Sequence, residues 1–144
     1  MIGKMIVGFD ASVESYQAFD FALDMACSCQ PASDIFVLTV VQPPEGVYLV
    51  ASDKLLDETT KQYEGLLKDL EEKAKAKKIR IRTEIAVGHP AETIVRFAEE
   101  MGCPLIIVGH KGRSKLQGML LGSVSRSVAS LARCTVIIVR KEGS

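Results

Sequence analysis

The sequence LIIVGHKG at residues 105–112, with the pair GS at 122–123 nine residues later, decides the fold. Its opening apolar run predicts a buried strand, and the glycines that follow predict a loop. Beyond the pair, Val124, Val128 and Leu131 recur at helical spacing. A strand therefore ends in a glycine-rich loop, and the loop leads into a helix.

That order of elements suits a phosphate group. Glycines let the backbone approach an anion closely, and the unpaired N–H groups of a helix's first turn point at it. Lys111, Arg113 and Lys115 add positive charge to the loop. These cations either contact phosphate or form an exposed loop that aids solubility. We predict a nucleotide-binding site at this place.

Length and composition bound the class of protein. The 144 residues fit one domain, 1–144, and 47% apolar with 25% charged residues is typical of a globular protein. Lys plus Arg equals Asp plus Glu, 18 each, so no nucleic-acid partner is expected. No apolar run approaches the roughly 20 residues that span a bilayer, and no signal-peptide layout is present. We expect no membrane partner and a cytoplasmic location.

The four cysteines are expected to be buried, reduced thiols. Cys27 and Cys29 lie two residues apart in a predicted helix, where they point to different faces, and Cys103 and Cys134 each begin a predicted strand. Because no pair has CxxC spacing, neither metal binding nor redox chemistry is expected of them.

Periodicity alternates between strand and helix along the whole chain. Ser12 is the predicted N-cap of the first helix, and Pro90 lies near the start of the third. The segment 79–87 alternates apolar with charged residues, which predicts a half-buried edge strand. Gly65 weakens the expectation of a straight second helix. The predicted strands are 4–9, 35–41, 79–87, 103–108 and 135–140. The predicted helices are 12–30, one whose apolar residues recur from 56 to 74, 90–101 and 123–132, with a long loop at 42–52.

This alternation predicts right-handed βαβ crossovers, and hence an α/β fold whose mainly parallel sheet has helices on both faces. In such sheets ligands bind beyond the C-terminal strand ends, where the strand order reverses. Asp10 and the segment 109–123 both follow strand ends. If the first and fourth strands are neighbours at the reversal, these two segments meet in one cleft.

The spacing Gly-xx-Gly, nine residues, Gly-Ser is more specific than Gly-xx-Gly alone. With IVGFDAS at 6–12, LTV at 38–40, GHPAE at 88–92 and LLGSVS at 120–125, it makes essentially the whole chain resemble the universal stress protein family, in its nucleotide-binding branch. The resemblance implies a Rossmann-like, adenine nucleotide alpha hydrolase-like fold with five strands in the order 3-2-1-4-5. It also implies ATP above strands one and four, and a homodimer joined through the last strand.

At the nucleoside end, the resemblance implies three contacts. Asp10 would accept hydrogen bonds from the ribose hydroxyls or the adenine amine, Val40 would pack on adenine, and Gly109 would admit the ribose to the backbone. Simpler alternatives are a helix-start carboxylate for Asp10 and a core position for Val40. Gly8 and Phe9 precede the aspartate where many relatives have other pairs, so the detail of the adenine pocket stays open.

At the phosphate end, the resemblance implies five further contacts. Gly112 would let the phosphates approach the backbone, and Gly122, Ser123, Val124 and Ser125 would hold them through backbone N–H groups and hydroxyls. Ser123 has a simpler alternative as an N-cap without a ligand. ATP is the expected ligand, with ADP, AMP or a cyclic form as alternatives, and any Mg²⁺ would arrive on the nucleotide.

The sequence favours holding ATP over cleaving it. The loop lacks the Walker arrangement GxxxxGK[ST], and no strand-end carboxylate pair stands out for magnesium. His89 is expected to be a turn residue, and His110 a solvated loop residue. We therefore expect a regulatory nucleotide sensor of the stress response, not an enzyme. The alternatives are a slow ATPase or autophosphorylating enzyme using Ser123 or Ser125, and a nucleotide-free interaction module.

The last strand is apolar over Val136–Val139 and is expected at a sheet edge. An uncovered apolar edge invites pairing with another molecule. A symmetric dimer across it would remove the open edge, in agreement with the homodimer that the resemblance implies. A covering segment would do the same.

Overall fold

The computed structural model describes residues 3–42, 49–111 and 121–140, with side chains in the second range from residue 56 onward. Strands and helices alternate throughout these ranges, and no helix within them is both long and apolar enough to cross a bilayer. The strands are β1 (Lys4–Gly8), β2 (Asp34–Val41), β3 (Ile81–Val87), β4 (Leu105–Gly109) and β5 (Thr135–Val139). The helices are α1 (Val13–Ser28), α2 (Leu49–Ala76), α3 (Pro90–Met101) and α4 (Ser123–Leu131).

The strands form one sheet in the order β3-β2-β1-β4-β5, and every neighbouring pair is parallel. The predicted Rossmann-like order 3-2-1-4-5 is therefore confirmed. The strand order reverses between β1 and β4, which are neighbours in the sheet and pair through Val7 and Ile107. The segments that follow these two strands consequently lie side by side at the carboxyl edge, as the sequence predicted.

Helices cover both faces of the sheet. Met5 and Val7 of β1 pack in the core beneath α1 and α2, while Ile6 between them packs in the core beneath α3 and α4. This division follows from the alternation of side chains along a strand. All three side chains are fully buried. The central strands are thus apolar on both sides, which fixes them against slippage.

The two sheet edges are β3 and β5. The burial of β3 alternates between half-buried and exposed residues over most of its length, as its charged alternation predicted. The side chains of β5 are half-buried from Val136 to Val139, in keeping with an edge position. The edge placement of both strands is therefore confirmed.

The second helix is longer than predicted. α2 begins at Leu49, inside the expected loop 42–52, and continues through Gly65. A side chain at position 65 would meet no heavy atom within 4 Å, so packing does not require a glycine there. The start of the helix was missed because Val50 and Ala51 follow a segment rich in proline and glycine. Residues 43–48 of the expected loop lie outside the described ranges.

The cysteines match expectation only in part. All four are free thiols, but Cys27 is exposed, so the prediction of burial was wrong there. Cys103 is buried and Cys134 half-buried, and burial raises the pKa of both thiols above the usual 9.0. These two therefore remain protonated near neutrality and pack as small apolar side chains.

Candidate functional site

A cleft of about 520 Å³, counting its open mouth, lies at the carboxyl ends of β1, β2 and β4. Five of the eight predicted site residues line this one cleft: Asp10, Val40, Gly109, Val124 and Ser125. The structure therefore brings together residues that are far apart in the sequence.

The other three predicted site residues have different positions. Ser123 is exposed and lines a neighbouring recess that shares Pro90 and Val124 with the cleft. Gly122 is the N-cap of α4. Gly112 lies outside the described residues, as do Arg113 and Lys115, whereas Lys111 lines the cleft.

The cleft has an apolar lining that suits a planar ring. Leu38 and Val40 come from β2, Val108 from β4 and Ile94 from α3. Leu38, Ile94 and Val108 belong to the buried core between the sheet and the α3 and α4 layer, and Val40 is half-buried against it. Val40 therefore packs against the core, as its simpler interpretation predicted, and also lines the cleft, while its contact with adenine stays a prediction.

The first turn of α4 presents backbone amides beside this lining. Its N-cap is a glycine, and in the described part of the chain no side chain caps the turn. The first backbone bond of the helix is donated by Arg126 to Gly122, so the N–H groups of residues 123–125 precede the helical ladder. With the helix dipole, these amides make a site for an anion.

Two predicted phosphate contacts are already engaged within the protein. The N–H of Gly122 donates to the carbonyl oxygen of His110 at 2.9 Å. Ser125 is 2% exposed, and the single proton of its hydroxyl is shared between the carbonyl oxygens of His110 at 2.9 Å and Gly122 at 3.0 Å. At position 125 the group that the fold leaves for an anion is the backbone N–H, not the hydroxyl proton.

Asp10 organises the turn between β1 and α1. Its Oδ1 accepts a hydrogen bond from the N–H of Ser12 at 3.0 Å, and Ala11 between them has φ +67°. Ser12 is the confirmed N-cap of α1, with its Oγ accepting from the N–H of Ser15 at 3.1 Å. The simpler interpretation of Asp10 as a helix-start carboxylate therefore has a physical basis, and its role toward a nucleoside stays a prediction.

The expectation that His110 is solvated was wrong. The residue is 6% exposed, and its backbone N–H donates to the carbonyl oxygen of Val139 at 2.7 Å. Its ring nitrogen Nε2 lies 3.2 Å from a guanidinium nitrogen of Arg140. Because a guanidinium only donates, Nε2 accepts and the ring is neutral. Burial, then the nearby charges of Arg140 and Lys111, lower the pKa of His110 below its usual 6.5. His89 is exposed and is the N-cap residue of α3, in agreement with a turn role.

Ser15 is among the lining residues that were not predicted from the sequence. Ser15 lies in the cleft, one helical turn after Ser12. The spacing Ser-x-x-Ser that begins two residues after Asp10 was the available signal, because residues three apart on a helix lie on one face. Among the described residues, no group of three His, Cys, Asp or Glu side chains is placed to hold a metal ion.

Comparison with known proteins places the chain in a family. The sequence profile of the universal stress protein family matches residues 1–140. Universal stress protein YxiE of Bacillus subtilis is 36% identical, over 97% of this chain and 100% of its own. The structure of MJ0577 from Methanocaldococcus jannaschii superposes with a TM-score of 0.92 at 24% identity, covering 100% of this chain and 99% of that one. A universal stress protein solved in complex with cAMP gives a TM-score of 0.71 at 27% identity, over 96% of both chains. The chain belongs to the universal stress protein family.

Proposed function

We propose that the cleft binds an adenine nucleotide, ATP in the first place, and that the protein acts as a regulatory nucleotide sensor. The observation that carries the proposal is the first turn of α4, whose amides at 123–125 lie beside the apolar cleft. A helix start of this kind favours phosphate. The relative solved with cAMP supports the same ligand class.

The ends of the cleft match the two ends of such a ligand. Leu38 and Val40 provide apolar surface for the base, and the carboxylate of Asp10 provides an acceptor for ribose hydroxyls. Lys111 adds a positive charge to the lining for the phosphates. Since ADP, AMP and a cyclic nucleotide share the base and ribose, they are the competing ligands, and Mg²⁺ would arrive on the phosphates.

Binding without turnover is the form of the function that we propose. The glycine loop lacks a Walker lysine, and phosphoryl transfer needs positioned cations and a group that orients the nucleophile. A slow autophosphorylating activity is the second candidate, and the structure favours Ser123 over Ser125 as its acceptor. Ser123 is exposed, whereas the hydroxyl of Ser125 is buried and donates to two carbonyls.

A homodimer through β5 is part of the proposal. The C=O of Val139 accepts a hydrogen bond from the backbone N–H of His110, which follows β4. The main-chain groups of Val139 and Ile137 therefore point toward β4, into the sheet. The N–H and C=O groups of Val136 and Ile138 consequently point to the outer edge. His110 also accepts from Gly122 at the start of α4. The main chain of His110 is thus hydrogen-bonded both to the start of α4, at the proposed phosphate site, and to β5, at the proposed dimer edge. This connection supports the proposal that nucleotide binding affects dimer formation.

Two measurements on the purified protein test the proposal. Mass spectrometry of the small molecules released on denaturation is expected to find an adenine nucleotide, and calorimetry is expected to show saturable ATP binding. Incubation with γ-labelled ATP and Mg²⁺ is expected to give no turnover. ATP turnover that Ser123→Ala abolishes would instead establish the second candidate, the autophosphorylating enzyme. If no nucleotide binds, the remaining hypothesis is the nucleotide-free interaction module.

A further inference from the structure

The turn that presents Asp10 to the cleft has a strained backbone. Ala11 follows Asp10 with φ +67°, in the left-handed region that residues with a Cβ rarely adopt. Such a conformation persists where surrounding contacts fix it. The contacts around Asp10 therefore decide which way its carboxylate points.

Contacts to the turn come from near and far in the sequence. The N–H of Asp10 donates to Oγ of Ser15 at 3.3 Å, and Oδ1 of Asp10 accepts from Ser12 at 3.0 Å. From α2, 53 positions further along, the hydroxyl of Tyr63 donates to the carbonyl oxygen of Asp10 at 3.2 Å. That carbonyl belongs to the peptide that joins Asp10 to the left-handed Ala11.

Packing explains the ring of Tyr63 but not its hydroxyl. The side chain is 8% exposed and lies in the core beneath α1 and α2, where a phenylalanine would fill the same space. A buried tyrosine hydroxyl needs a partner, and the carbonyl of Asp10 supplies one. The hydroxyl thus fixes the orientation of one peptide plane, and with it the direction in which the Asp10 side chain leaves the backbone.

We infer that Tyr63 is a positioning residue for the nucleotide cleft, acting through the β1–α1 turn to hold Asp10 in its binding orientation. This inference rests on the proposed nucleotide function and adds a residue on α2 that does not line the cleft. Without the hydroxyl, the Asp10–Ala11 peptide rotates more freely, and binding has to order it. The hydrogen bond is long for a hydroxyl donor, so the expected loss of ATP affinity is moderate, about three- to ten-fold.

Calorimetric titration with ATP tests the inference on four variants and the unaltered protein, below the unfolding temperature of each. Tyr63→Phe is expected to weaken ATP binding about three- to ten-fold, and Asp10→Ala to weaken it more. In the double variant, Tyr63→Phe is expected to add nothing, because its effect passes through the missing carboxylate. Tyr16→Phe is the matched control: this ring packs on Phe9 and Lys73, and loss of its hydroxyl should leave ATP affinity unchanged.

The outcomes separate the inference from the function on which it rests. If the unaltered protein binds ATP while Tyr63→Phe keeps full affinity and loses only thermal stability, Tyr63 is merely structural and the inference is overturned. Additive losses in the double variant also overturn it, since Tyr63 would then act independently of Asp10. If the unaltered protein does not bind ATP, the proposed function fails and the inference fails with it.

Discussion

Gly109 lies directly against the backbone of Glu14 at the start of α1. A Cβ at position 109 would lie 2.7 Å from the carbonyl carbon of Glu14 and 2.9 Å from its carbonyl oxygen. The family resemblance implies that this glycine admits a ribose, and the structure adds a second reason for it. Close packing of α1 on the end of β4 excludes any larger residue, so the first glycine of the motif also shapes the cleft through the fold.

Gly109→Ala is therefore expected to destabilise the protein by about 1–3 kcal/mol, the range for inserting a carbon into a packed contact. Urea unfolding followed by circular dichroism measures the loss. Gly65→Ala is the control, because open space surrounds that position within α2 and alanine is the better helix former. It is expected to raise stability by up to about 1 kcal/mol. If Gly109→Ala is as stable as the unaltered protein, α1 can move to accommodate the added carbon without a loss of stability.

Acid pH is expected to destabilise the protein through His110. Its pKa is lowered on folding, so the unfolded chain binds a proton more readily than the folded one. The contribution of neutral His110 is thus present above the usual pKa of 6.5 and is lost as the pH falls below it. Burial is the largest cause of the lowered pKa; the positive charges of Arg140 and then Lys111 also oppose protonation, while the negative charge of Glu14 favours it more weakly.

The measurement is the free energy of unfolding in urea at pH 7.5 and pH 5.5. His110→Gln removes the titrating ring, so this variant should lose less stability between the two pH values than the unaltered protein. His89→Gln, at the exposed histidine, serves as the control and should keep the full pH dependence. An equal loss in the His110→Gln variant would mean that other groups cause the acid destabilisation.

Gly122→Val is expected to abolish most ATP affinity. The backbone at position 122 has φ −68° and ψ 161°, which a β-branched residue adopts without strain. A side chain there would stand at the N-cap, where the phosphates are proposed to approach the amides of residues 123–125. Calorimetric titration with ATP, after circular dichroism has established folding, measures the effect. A folded variant with undiminished affinity would refute the placement of the phosphates.

The dimer edge predicts opposite effects for proline at two adjacent positions. Ile138→Pro removes an N–H that points outward from β5, so it should convert the proposed dimer into a folded monomer. Ile137→Pro removes an N–H that points toward β4 and should lower the stability of the fold itself. Both changes delete an isoleucine side chain, so each controls for the other. Light scattering with thermal unfolding distinguishes them, and a dimer retained in Ile138→Pro would place the interface elsewhere.

Local sequence signals predicted the alternating strands and helices, whereas the strand order 3-2-1-4-5 was implied by the family resemblance. The alternation of 79–87 identified an edge strand, and Ser12 identified the start of α1, because both depend on neighbours in the chain. The motif residues Asp10 and Gly109 were placed correctly at the carboxyl edge, since strand ends in a parallel sheet share that edge. Such features follow from periodicity and topology alone.

Contacts between distant segments could not be foreseen. The contacts of His110 with Val139 and Arg140 join residues about thirty positions apart in the sequence. The hydrogen bond from Tyr63 to Asp10 joins residues 53 positions apart. No periodic pattern encodes such pairs. The capture of the Ser125 hydroxyl by two carbonyls was missed for a related reason, because it depends on where the loop returns to α4.

The central claim, that the first-turn amides of α4 bind the phosphates of an adenine nucleotide, is tested most directly by nuclear magnetic resonance. In an ATP titration of ¹⁵N-labelled protein, the amide resonances of Ser123, Val124 and Ser125 are expected to shift in a saturable way. Adenosine, which lacks phosphates, should leave these three nearly unchanged while shifting resonances near Asp10 and Val40. Saturable ATP binding with the three α4 amides unmoved would contradict the account.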